Sequence, residues 1–174
     1  MKTCIAPGVC VVMWLTTAVA FGAEGASDAY IKAEGNRWTL GTARVERVVA
    51  LEEGKLLLKS LKNKPSGREL VPGGITSAEF FLHLGEDKQL VTSATGPWRL
   101  VRADQKRLKQ GELQLDLAVQ RESLLVTKSY VVYPGSSIIR QWVTIANAGR
   151  EPMVVFEPGF LSETVRPGEP GSLD

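Results

Sequence analysis

Between Leu113 and Gln120 apolar and polar residues alternate: Leu113, Leu115, Leu117 and Val119 fall on one side, Gln114, Asp116 and Gln120 on the other. A period of two puts successive side chains on opposite faces of an extended strand, here one dry and one wet. The break at Gln120-Arg-Glu-Ser123 leads into Leu124 to Tyr133, and the two runs read as a hairpin. Pro134-Gly135 turns the chain again, since Pro presets φ and Gly accepts positive φ at the next position. Ser137 to Ala146 carries apolar residues on both faces, which predicts a central strand, and Asn147-Ala-Gly149 turns it into Met153 to Phe156 as a meander.

Upstream, Arg37 to Leu40, Arg44 to Leu51, Lys55 to Leu61 and Ala78 to Leu84 are further strand segments, with Glu52-Glu53-Gly54 the clearest turn among them. Asn63 to Gly74 and Glu86 to Pro97 read as longer connections. Helical spacing is scarce. Seven or more short strands therefore predict an all-β fold, an antiparallel β-sandwich.

The chain begins differently. Met1-Lys2 is followed by an uncharged stretch to Ala23 that is most apolar over Val9 to Leu15, the layout of a secretory signal. Small residues at Ala18 and Ala20 place cleavage after Ala20, with a second site after Gly22, and predict export to the periplasm or outside the cell. Cys4 and Cys10 both fall within the signal, so cleavage leaves no thiol for a disulfide, a zinc site or a nucleophile. The organisation expected is 1–20 signal peptide, 21–35 flexible segment, 36–165 sandwich domain and 166–174 linker or truncated tail. The two Pro-Gly pairs after Arg166 prompt the last assignment and the expectation that the gene product continues.

A formal charge of +2, with cations scattered among acids, argues against a nucleic-acid partner, which requires clustered cations. After signal removal no membrane partner is expected either. Pro72-Gly73-Gly74 lacks the lysine of a phosphate loop, and no cofactor is expected.

Tyr130-Val-Val-Tyr-Pro-Gly-Ser-Ser-Ile-Ile-Arg-Gln-Trp-Val-Thr-Ile-Ala-Asn-Ala-Gly149 resembles the N-terminal β-supersandwich, a galactose-mutarotase-like fold, of family 36 α-galactosidases. Trp38-Thr-Leu-Gly41, Gly54 to Asn63 and Gly67-Arg-Glu-Leu70 look like that family's opening hairpin, and the likeness runs from Arg37 to Leu161. The resemblance implies a non-catalytic module that precedes and packs on a catalytic (β/α)8 barrel in the same polypeptide. Such a barrel needs about 250 residues, so none of its carboxylates can be assigned here. A stand-alone carbohydrate-binding module and a structural envelope protein are the alternatives.

Candidate chemistry within the chain is thin. His83 is the only histidine, without a second histidine or a mature cysteine to share a metal, and reads as a strand-face residue. Glu52-Glu53 and Glu86-Asp87 lie in turns beside Gly, where solvated charge explains them, so no catalytic residue is assigned. Trp38, Trp98 and Trp142 could each stack on a sugar. Trp142, in the most apolar strand, is expected in the core, whereas Trp98, after Gly96-Pro97 and beside Arg99, is expected nearer the surface. Trp98 and Arg99 are accordingly the candidate ligand-binding residues, and no metal site is expected.

Overall fold

The computed structural model describes residues 27–166, and every regular element in it is a β-strand. The first sheet runs in the order β1 (Tyr30–Glu34), β2 (Arg37–Gly41), β3 (Val45–Glu52), β4 (Lys55–Asn63), β5 (Arg68–Glu69), with β6 (Ser77–Ala78) also paired to β4. A third, smaller sheet contains β7 (Phe81–Leu84) between β8 (Gln89–Thr92) and β13 (Val155–Gly159). The second sheet is a meander of β9 (Arg99–Arg107), β10 (Leu113–Arg121), β11 (Leu124–Val132) and β12 (Ile139–Asn147). All pairings are antiparallel.

Alternation decides what faces inward. Trp38, Leu40, Val49, Leu51 and Leu56 from the first sheet meet Leu115, Leu117, Val119, Val126 and Val132 from the second, while Leu82 and Val91 join from the third. The result is an antiparallel β-sandwich around one apolar core, as the strand pattern predicted. Glu53 and Gly54, with φ of 49° and 70°, form the two-residue turn between β3 and β4. Positive φ at both central positions matches the turn to the right-handed twist of the strands it joins.

Several expectations are corrected. Tyr30 to Glu34, assigned to a flexible segment, is strand β1, paired residue by residue with β2. Ile31 packs on the core, and the Asp28 carboxylate accepts the backbone N–H of Ala43 at 2.9 Å and of Gly135 at 2.6 Å, fixing the strand's approach. Ala78 to Leu84 is two strands, because the chain changes sheets at the buried pair Glu79 and Phe80.

The Ser137 to Ala146 strand is an edge, not a central strand: among the described residues β12 pairs only with β11, and Ile139, Val143 and Ile145 are partly buried against the core. Nor does the chain continue the meander beyond it, since β13 crosses to β7 in the third sheet. The two long connections contain β5 and β8, and polar β9 went unanticipated. Arg166, assigned to the linker, donates its backbone N–H to Leu70 at 2.7 Å and so belongs to the folded part. The expected signal peptide, its expected cleavage sites and residues 167–174 lie outside the described residues.

Candidate functional site

The interior is not wholly apolar. Along β11 the inward positions read Leu124, Val126, Lys128, Tyr130 and Val132, and on β3 Arg47 lies between Val45 and Val49. Two cations thus enter the space between sheets, which requires compensating charge.

Glu79 and Glu163 supply it. The Arg47 Nη2 group donates to both Glu79 carboxylate oxygens, at 2.7 and 2.9 Å, and also to Glu163. Tyr130 donates its hydroxyl to Glu79 at 2.6 Å, and Gln141 donates to Glu163 at 3.2 Å. The Lys128 ammonium donates to the Glu79 backbone carbonyl at 2.9 Å and to that of Phe160, and lies 3.6 Å from the Glu79 carboxylate. Glu79 and Lys128 are both 0% exposed by side chain, and Arg47 and Glu163 are nearly as buried. Arg47 Nε and Gln141 Oε1 are buried without hydrogen-bond partners among the described residues.

Two of these partners lie on the segment after β13. Phe160 and Glu163 are drawn in by Lys128 and Arg47, Ser162 bridges to Ala78, and Thr164 donates its backbone N–H to the Ser77 hydroxyl at 2.9 Å. With the Arg166 bond to Leu70, residues 160–166 form a strap along the β6 side of the first sheet, pinned from inside by charge. Ser93 completes the support, accepting the Glu79 N–H at 2.6 Å and donating to the Leu56 carbonyl at 2.7 Å.

Burial pushes the Lys128 ammonium down to about 8, while Glu79 pulls the other way and Arg47 adds to the depression. An unfolded lysine titrates near 10.4. Between about 8 and 10.4 the unfolded chain therefore holds more protons on this residue, so its contribution to stability rises with pH. Tyr130 and Tyr30 are both held above the usual tyrosine range, chiefly by burial. Their contributions begin to be lost as unfolded tyrosine ionises near 10. The urea midpoint is expected to rise between pH 7 and about 9.5, by at most about 1.4 kcal/mol per pH unit in stability, and the rise is expected to vanish in Lys128→Met. A flat profile in the wild type would contradict this.

The residues singled out from sequence lie elsewhere. Trp98 is 3% exposed, T-stacked on Phe80 with ring centroids 5.2 Å apart, and donates its indole N–H to the Thr92 carbonyl at 3.0 Å. The expectation that it lies nearer the surface is therefore corrected. Arg99 is exposed at the start of β9 and donates to Gln120 at 2.9 Å, and the structure does not join it to Trp98 as one site. Trp142, expected in the core, is half-buried on β12. His83 is half-buried on β7, with Nδ1 3.7 Å from a Glu157 carboxylate oxygen.

Sequence reasoning missed the buried network. Its signal was present in the cations at the inward positions of β3 and β11. Comparison with models of protein families and with curated proteins finds no match to this chain.

Proposed function

We propose that this chain is a non-catalytic β-sandwich module of a secreted α-galactosidase-like glycoside hydrolase, which packs on a catalytic (β/α)8 barrel and shapes its substrate entrance. The observation that carries the reading is where apolar surface lies. Of the eight large apolar side chains exposed among the described residues, Phe160, Leu161 and Val165 belong to the strap and Ile75 to the loop before β6. Exposed apolar groups gathered on a fixed segment fit a surface covered by a partner better than isolated surface residues do. Beside the strap, between β4 and residues 71–77, lies a hollow of about 480 Å³ that a partner side chain could fill.

The likeness of the Tyr130 to Gly149 segment to the family 36 sandwich supports the choice of partner. A buried charge network suits this role because it holds the strap in one register, whereas apolar contacts alone would let it slide.

The purified chain is expected not to turn over an aryl α-galactoside. Added to an α-galactosidase-type barrel lacking its own sandwich, it is expected to raise the barrel's melting temperature, and Phe160→Asp with Leu161→Asp to abolish the effect. Turnover by the chain alone, or a barrel indifferent to it, would overturn the reading.

A further inference from the structure

Among the described residues β12 pairs with β11 alone, without a break along its length of nine residues. Ala148 donates its backbone N–H to the Ser123 carbonyl at 2.7 Å, which sets the phase of the ladder. Antiparallel pairs alternate between bonded and unbonded, so Arg140, Trp142, Thr144 and Ala146 direct their backbone groups to β11. Ile139, Gln141, Val143, Ile145 and Asn147 turn theirs away from the sheet, and no backbone bond receives them among the described residues.

An open edge is a template for a further strand, and proteins guard such edges with charge, Pro, bulges or short length. The other outer strands carry these guards. β9 has Arg99, Arg102, Asp104, Lys106 and Arg107 and a break in register, β1 has Lys32 and Glu34, and β13 has Pro158 and a break of its own. β5 and β6 have two residues each and β8 has four. β12 has no such guard. Its one charge is Arg140, and the residues of β11 on the same face, Leu125, Thr127, Ser129 and Val131, are neutral.

We propose that β12 pairs antiparallel with β12 of a second copy of this chain about a two-fold axis at Trp142, joining the two second sheets into one. A second copy supplies what an arbitrary strand does not: an open edge of the same length, in the matching phase, without an opposing charge. Parallel pairing would set Arg140 beside Arg140, whereas the two-fold sets each Arg140 opposite the partner's Thr144. Gln141 then meets the partner's Val143 and Ile139 the partner's Ile145, each pair with its free backbone groups facing. At the axis Trp142 meets its own copy in an unbonded pair, where Cα atoms approach to about 4.5 Å and side chains are closest. Trp142 is half-buried on the outward face with Arg140 over its ring at 5.5 Å, and the partner ring covers much of what remains exposed. Ile138, 63% exposed, comes to lie beside the partner's Ala146. The pairing is independent of what covers the strap.

Sedimentation equilibrium of the purified chain from about 1 µM to about 1 mM, a range suited to a small interface, is expected to show monomer and dimer in equilibrium. Trp142→Lys and Trp142→Glu each put like charges at the axis and are expected to weaken association at least about tenfold, while an equimolar mixture of the two restores it. Near-ultraviolet circular dichroism monitors folding. Thr144 is exposed, so its substitution spares the core: Thr144→Arg, facing the partner's Arg140, is expected to weaken the dimer and Thr144→Glu to strengthen it. A wild-type monomer throughout the range, a dimer indifferent to Thr144→Arg and Trp142→Lys, or a mixture that associates no better than either Trp142 variant alone would overturn the proposal.

Discussion

Glu79→Gln is expected to lower the stability of the sandwich by about 3–5 kcal/mol, the cost of removing one member of a buried ion pair. The shape of the side chain survives the change, but its charge does not. Arg47 and Lys128 then face a single carboxylate, Glu163, and Tyr130 loses a charged acceptor. Equilibrium urea unfolding of the two proteins measures the difference. Lys128→Met in the same chain restores the balance of charge, so the double variant is expected to be more stable than the sum of the two single losses predicts. Additive losses would mean that the two groups do not sense each other.

Trp98→Ala is the second large effect, with an expected loss of about 3–5 kcal/mol from the cavity left behind. The indole packs edge-on against Phe80, donates to Thr92, and has the Arg121 guanidinium over its ring at 5.6 Å. Thermal unfolding checks the size of the loss. Full stability in Trp98→Ala would contradict its place in the core.

The strands most legible in the sequence are those whose apolar residues stand out between turn residues. Leu113 to Val119 needed only its alternation, Lys55 to Leu61 its apolar run Leu56-Leu57-Leu58 after the Glu53-Gly54 turn, and that turn only its backbone chemistry. β9 was illegible because nearly all of its residues are exposed, so its sequence carries no apolar period. β12 was misplaced for a different reason. Apolar residues on both faces of a strand indicate that both faces are covered, but they do not reveal whether both edges are paired, and β12 has one partner among the described residues.

Trp98 and Trp142 exchanged roles through the same gap. Neighbouring Gly and Pro residues suggested exposure for Trp98, yet the Gly96-Pro97 turn approaches Gly54 so closely that a Cβ on Gly96 would sit 2.5 Å from the Gly54 carbonyl oxygen. That approach brings Trp98 inward, where its backbone N–H reaches the Gly54 carbonyl at 2.7 Å. The buried network was half legible. Lys128 and Arg47 break inward apolar patterns on their own strands, but Glu79 and Glu163 come from irregular segments far away in sequence, and only the fold brings them together.

Buried charge holds residues 160–166 in one register as a rigid edge, and amide hydrogen exchange reads this at single positions. The Thr164 and Arg166 amides, bonded to Ser77 and Leu70, are expected to be protected in the wild type. In Glu163→Gln that protection is expected to fall at both positions while amides within the β10 and β11 pair keep theirs. Unprotected Thr164 and Arg166 in the wild type, or protection indifferent to Glu163→Gln, would mean that buried charge does not hold the strap.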